Sequence, residues 1–463
     1  MPKSPSSAVP PAVLPAVLLE PNHSLPLCRV QVTLRTGAAS DAAPDPAVGL
    51  AKGQALDGLC NFATELQRRG AGGRSRSALD EAIDALGSSV HVLCWHDQVL
   101  FEAMGLKENI DAACALLADV LLRPDFPTSE SDKLRRELDA QLDDLRDDDN
   151  GLMQRFFARS LYGSLPYGRP VGGTKQSITK YSVALARSWF KHYVVAGNVV
   201  FGAAGDLTQK EAEKLLSRHF GGLPSGPAHD PSFSAPKSAS KDKDRDRDAE
   251  QGGLRLVLVD KPERTQSQIL VGQLAPHWQD EHWLPLCVST TAFGGMFTAR
   301  LMDEVRVKRG LSYGASARLG SGRGRRALSM HVFPSAEQTG ETLELVLRLY
   351  REWAEKGLRS EEVTFAKSYL QKSHAFTIQT ADDRLNLRTR LLLCGMPLDY
   401  VTTFPDRVAA VDERRIKQAM EASLRPDNLL ITIVGTAATL LPQLKKLPAL
   451  KKAQIEVVPY DSY

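Results

Sequence analysis

One order of signals occurs twice along this chain, and that restricts its fold more than any other feature. Residues 25–35 (LPLCRVQVTLR) partly alternate polar and apolar side chains, as a strand does, and helical patterns follow near 56–69, 76–86, 110–122 and 129–146. A second run opens with strand-like residues 254–260 (LRLVLVD) and 268–272 (QILVG), followed by helical patterns near 283–291, 299–308, 339–356 and 360–377. Each run closes with a strand, a turn and a helix, at 198–220 (NVVFGAAGDLTQKEAEKLLSRHF) and 428–447 (NLLITIVGTAATLLPQLKKL), about 230 residues apart. The length of 463 residues suggests about three domains. A duplicated α+β unit explains the repeated order better than three unrelated domains.

Between the runs lies SGPAHDPSFSAPKSASKDKDRDRDAEQGG, residues 225–253. It has too few large apolar side chains to offset the entropy of ordering, so it is expected to be a flexible linker. Its KDKDRDRD run cancels in sign, which favours a solvated linker over a nucleic-acid tail. The expected organisation is an N-terminal half over 17–224, the linker over 225–253 and a C-terminal half over 254–455.

The whole-chain charge is +3, from 58 basic and 55 acidic side chains, too balanced to advertise nucleic-acid or membrane-surface binding. No stretch approaches the ~18 apolar residues of a membrane span. The first residues, MPKSPSSAVPPAVLPAVLLEPNHS, combine one Lys with an apolar run. Prolines break that run and no clean cleavage site follows, so a disordered lead-in is the simpler reading. The six cysteines (Cys28, Cys60, Cys94, Cys114, Cys287 and Cys394) are scattered, with no C-x-x-C spacing. They read as reduced core thiols, which points to the cytoplasm, with the periplasm the alternative if the true start lies upstream.

Several short motifs are colinear. GLCNF occupies 58–62, Arg74-Ser75 precedes LDEAIDALG (79–87), and a strand-like SSVHVL (88–93) follows. Further on come LPYG (165–168), Gly205-Asp206, FTARL (297–301) and EVRVKRGLSYG (304–314). This order and spacing resembles the pitrilysin/insulinase family of zinc peptidases, the inverted zincins, over nearly the whole chain. The resemblance implies two homologous halves, each a mixed sheet packed by helices. It also implies that two such chains close around unfolded peptides.

The family grips zinc with H-x-x-E-H on a helix. Residues at i and i+4 share a face, and the Glu between them deprotonates the metal-bound water. Here the first His position holds Asn61, the general-base position Thr64 and the second His position Glu65, while the downstream third ligand falls on Asp144. Only Glu137, a supporting carboxylate in the family pattern, is retained. Thr64 cannot act as the base. An Asn/Glu/Asp set favours Mg²⁺ or Ca²⁺ over zinc if it binds anything. The simpler reading is that these residues fill a solvated or hydrogen-bonded helix face, with no metal in this chain. None of the ten histidines begins an H-x-x-E-H. In His277…His282 the rings would sit about 140° apart on a helix. His91 and His96 have opposite strand parity, so they would point to opposite faces.

The second half keeps what the first half lost. Arg306 and Tyr313, seven residues apart, match the pair that the family brings to the substrate carbonyl and the tetrahedral oxyanion. A guanidinium and a phenol suit developing negative charge. Taken without the resemblance, Arg306 is a helix-surface charge and Tyr313 a strand residue. The family also pairs extended peptide with the strand equivalent to residues 89–94, where His91 and Cys94 replace the usual polar residues. The short glycine run at 293–296 argues against recognition of targeting sequences. The basic stretch 320–326 reads as a hairpin connection.

The resemblance therefore implies a zinc-free subunit, inactive alone. It would pair with a zinc-bearing paralogue, bind unfolded peptides and complete the partner's site through Arg306 and Tyr313. Two alternatives stand beside it: a peptidase-derived scaffold or peptide-binding homodimer, and a self-sufficient peptidase with a rebuilt site.

Overall fold

The computed structural model describes residues 17–42, 46–51, 54–230, 233 and 253–462. Most of the stretch expected to be a linker, including its alternating charge run, lies outside the described residues, as does the start of the N-terminal lead-in.

Each half builds one sheet. In the first, β1 (Val17–Pro21), β2 (Leu27–Leu34), the small hairpin β3 (Gly70–Ala71) and β4 (Arg74–Ser75), β5 (Ser89–Cys94), β6 (Val99–Leu106) and β7 (Val199–Gly205) appear in chain order. The main sheet has the order β1-β7-β2-β6-β5. It is mixed: β1 runs parallel to β7 and the other pairs are antiparallel. The second half contributes β8 (Arg255–Asp260), β9 (Gln268–Leu274), β10 (Ser312–Leu319), β11 (Ala327–Pro334), β12 (Leu430–Gly435) and β13 (Gln454–Pro459). Their order is β10-β11-β9-β12-β8-β13, with β8 parallel to β12 and β13 added beyond β8. Without β13, this is the first sheet's order strand for strand. The repeat read from the sequence is thus a repeat of topology.

The central strands β7 and β12 are buried almost throughout, so each sheet needs helices on both faces. In the first half, α1 (Leu59–Gln67), α2 (Arg76–Asp84) and α3 (Ile110–Leu122) come first, and α4 (Thr128–Asp144) and α5 (Asp149–Tyr162) follow. The fold divides into two compact units that do not follow the chain. The first takes residues up to Glu137, Val171–Pro231 and Thr380–Arg390; the second takes Leu138–Pro170, Ser232–Gln379 and Leu391–Tyr463. The second unit recruits α5, whose Leu152, Met153, Phe156 and Phe157 pack on Val257, Val259, Leu270 and Leu430 of its sheet. The first unit recruits the start of helix Ala381–Leu393. There Thr389 accepts a hydrogen bond from Gln31 at 2.8 Å, and Arg384 and Arg388 pair with Glu20 at 2.9 and 2.7 Å. Each half lends one helix to the other half's sheet.

Helices at 110–122, 339–356 and 360–377 begin and end where the apolar pattern places them. The helix expected over 299–308 does not form as one α-helix. Arg300–Met302 is a single short turn, and Asp303–Val307 is wound as a π-turn in which Lys308 N–H reaches the Asp303 carbonyl at 2.9 Å. His96 is not in a strand; it sits in the turn joining β5 to β6. The basic stretch 320–326 connects β10 to β11, as the hairpin reading requires.

Candidate functional site

In the first unit, α1 carries the positions where the metal motif falls. Its entry is made by Gly58 at φ 80°, where an added Cβ would lie 2.3 Å from the Tyr181 hydroxyl and 2.6 Å from the Gly173 nitrogen. Tyr181 donates to the Asp57 carbonyl at 2.5 Å and stacks on Phe62 at 4.8 Å, locking the start of the helix against the core. Leu59, Cys60, Phe62, Ala63 and Leu66 are buried.

Thr64 is also fully buried, not solvated, and its hydroxyl donates to the Cys60 carbonyl at 2.9 Å. It is spent inside the helix. Asn61 and Glu65 are half-buried. Burial pushes the Glu65 carboxyl above its usual range; Arg69 pulls it back and Glu137 adds to the rise. Asp144 is exposed at the C-terminal end of α4, in the part of that helix that belongs to the second unit.

A guanidinium dominates the electrostatics beside Glu65. Arg69 holds Glu137 through two hydrogen bonds, at 3.0 and 2.5 Å, and lies 3.8 Å from Glu130. Arg76 adds contacts of 3.6 Å to Glu130 and 3.7 Å to Glu137, and Lys133 pairs with Glu130 at 2.5 Å. The Arg69 hydrogen bonds hold the Glu137 carboxyl below its ordinary range, and Lys133 does the same for Glu130. Arg69 was not singled out from the sequence. Its position four residues after Glu65, the spacing that brings helical side chains together, was the available signal.

Beside this cluster is a groove of about 380 Å³, lined by Glu65, Arg68 and Arg76 and by Ser89, His91 and Val92 of β5. Among the described residues β5 pairs only with β6, so its other edge is open. His91 and Leu93 point outward. The Val90 carbonyl is already held by Arg68 Nε at 3.1 Å.

The second unit presents Arg306 and Tyr313. Leu301 and Val305 are fully buried and anchor the segment, while Arg300 grips Glu362 at 3.0 and 2.5 Å. The π-turn then reverses through Gly310, at φ 63°, with Leu311 N–H bonded to the Val305 carbonyl at 2.9 Å. β10 begins with a register shift between Ser312 and Ala315. A bulge re-aims side chains, and here Tyr313 is 77% exposed. The Arg306 guanidinium carbon lies 4.6 Å from the Tyr313 ring centroid and 5.0 Å from that of Phe297, itself 63% exposed. Arg306 has no carboxylate partner among the described residues. Phe297 lies in a motif the sequence singled out, but its stacking role was not legible there.

A duplicated mixed-sheet half, a helix at the metal-motif position and an arginine–tyrosine pair spanning a π-turn and an edge strand define a peptidase-type scaffold. Sequence comparison agrees. The profile of the insulinase family (peptidase family M16) matches residues 16–175, and that of the peptidase M16 inactive domain matches residues 180–370. The chain belongs to peptidase family M16. It is 24% identical over 432 residues to a protein of Helicobacter pylori described as the non-peptidase homolog YmxG, covering 90% of this chain and 91% of that one. It is 27% identical over 324 residues to an uncharacterized zinc protease of Mycobacterium leprae, covering 69% of each. A crystal structure of a peptidase M16 inactive domain from Pseudomonas fluorescens has the same fold, with a TM-score of 0.79 and 22% identity over 91% of this chain and 95% of that one.

The residues at the family's zinc positions do not fit zinc. They offer an amide and a carboxylate where the family has imidazoles, Thr64 is turned into the helix, and Glu137 is engaged by Arg69. No helix among the described residues is long and apolar enough to cross a membrane.

Proposed function

We propose that this chain is the zinc-free subunit of a two-chain M16 peptidase, inactive alone. Its partner is a zinc-bearing paralogue, and its substrates are unfolded peptides. The observation that carries this reading is the half-buried Arg306 stacked on both Tyr313 and Phe297, with no carboxylate among the described residues to neutralise it. An unpaired guanidinium held by ring faces can donate to a peptide carbonyl or a developing oxyanion. The degenerate α1 supports the same division of labour, because this chain keeps the donors and lacks the base.

Co-expression with a zinc-bearing M16 paralogue tests it. The complex should hydrolyse unfolded peptides, each chain alone should be inactive, and Arg306→Ala in this chain should sharply lower the rate. Undiminished activity in that variant sinks the proposal.

The relative described as a non-peptidase homolog favours a second reading, a peptidase-derived scaffold or peptide-binding homodimer. That reading expects a stable homodimer that changes no partner's rate.

A further inference from the structure

The sulfurs of Cys60 and Cys94 lie 3.4 Å apart, although the residues are 34 positions apart in sequence. Cys60 is in the first turn of α1, fully buried, with its backbone N–H donating to the Asp41 carboxylate at 3.1 Å. Cys94 is the last residue of the edge strand β5 and is only half-buried. All six cysteines are free thiols in this structure. Two sulfurs in van der Waals contact, each on a regular element, can reach the ~2.05 Å of a disulfide by side-chain rotation, without moving the backbone far.

We propose that Cys60 and Cys94 form an oxidation site at which an internal disulfide staples α1 to the open edge strand β5. The site belongs wholly to the first unit and does not depend on the two-chain peptidase reading. The oxidant class is a small-molecule disulfide such as glutathione disulfide.

The accessibility of the two thiols sets the order of steps. Cys94 loses its proton to solvent, and its thiolate attacks one glutathione sulfur. The glutathione S–S bond breaks, and the first glutathione leaves as a thiolate that takes up a proton. The Cys60 sulfur then attacks the Cys94 sulfur of the mixed disulfide. The Cys60 proton passes to the second glutathione as it leaves. Two protein thiols are oxidised and one glutathione disulfide is reduced to two thiols. Burial, followed by the neighbouring Cys94 and Asp41, raises the Cys60 thiol well above its ordinary range, so Cys60 suits the second, intramolecular step.

The test uses the full chain, reduced with dithiothreitol, desalted and incubated with glutathione disulfide under native conditions. It is then quenched in acid, alkylated and digested with trypsin. The expected product is peptide 53–68 linked to peptide 77–107, two hydrogens lighter than the free pair, together with a higher unfolding midpoint. Over time a glutathione adduct on Cys94 should rise and then fall as the link appears, and Cys60→Ser should trap that adduct. A wild-type adduct that persists on Cys94, or two thiols that remain fully alkylated in the folded protein, overturns the proposal. The wild-type time course decides the matter even if the Cys60 variant does not fold.

Discussion

Arg306 stacks on Tyr313 with its guanidinium carbon 4.6 Å from the ring centroid, and Tyr313 is 77% exposed. The π-turn Asp303–Val307 and the bulge at the start of β10 bring the two into ring contact; on a regular strand a seven-residue separation would point them to opposite faces, and on a regular helix it would leave them about two turns apart along one face. π-turns and bulges are sites where regular structure gives way to position a side chain.

Substitution at this pair should therefore affect rate and not stability. In the complex with a zinc-bearing partner, Arg306→Ala should lower kcat by about 10²–10³-fold, the range for losing one oxyanion donor. Arg306→Lys should not rescue it, because an ammonium lacks the planar fork that stacks and donates in pairs. Tyr313→Phe keeps the ring stack, so its smaller loss reports the hydroxyl alone. Tyr313→Phe should unfold within about 0.5 kcal/mol of wild type in urea, as expected for an exposed position, and the two Arg306 variants within about 1 kcal/mol, the scale of a cation–π contact. A large stability change in any of them would reassign the pair to a structural role.

Glu65→Gln should stabilise the protein near neutral pH. Burial raises this carboxyl, so its contribution is fully present below the unfolded value and is lost as pH rises through the folded one. Above that window the wild type carries a charge that burial opposes, and the amide does not. Unfolding midpoints should favour the variant at pH 7, with the difference shrinking as pH falls through the raised folded value and levelling off below the unfolded value of about 4.

Removing the guanidinium should have the opposite sign. Arg69→Ala leaves Glu137 and Glu130 facing Glu65 with less compensation, at a cost of about 1–3 kcal/mol. The low end applies because Glu137 is partly exposed. The Glu137 carboxyl is held below its ordinary 4.5, so its share of stability is present above that value and lost as pH falls through the lowered one. The variant should lose less on acidification than wild type, which chemical denaturation at pH 7 and pH 3.5 will show.

Gly58→Ala should be costly although only a methyl is added. The residue has φ 80°, and the new Cβ would lie 2.3 Å from the Tyr181 hydroxyl that braces Asp57. Strain of about 1–3 kcal/mol is expected, with a lower thermal midpoint. Gly73, also in the left-handed region but with open space around it, is the control: Gly73→Ala carries the backbone cost without the clash.

The sequence by itself determined the duplication, the two strand–turn–helix closing units and the longer helices, because apolar periodicity is local and survives without tertiary context. It also determined which residues occupy the family's motif positions: Asn61, Thr64 and Glu65, with no imidazole among them. Only the tertiary structure decided what surrounds them. Arg69 and Glu137 are 68 residues apart, and their pairing depends on α4 packing beside α1. The exchange of α5 and the helix Ala381–Leu393 between the halves was likewise invisible, since each pattern says that a helix buries a face but not against which sheet. The same limit applies to Cys60 and Cys94, which look scattered along the chain and meet only where α1 comes to the edge strand. Local patterns name the elements; long-range packing chooses the neighbours, and in this protein the neighbours make both candidate sites.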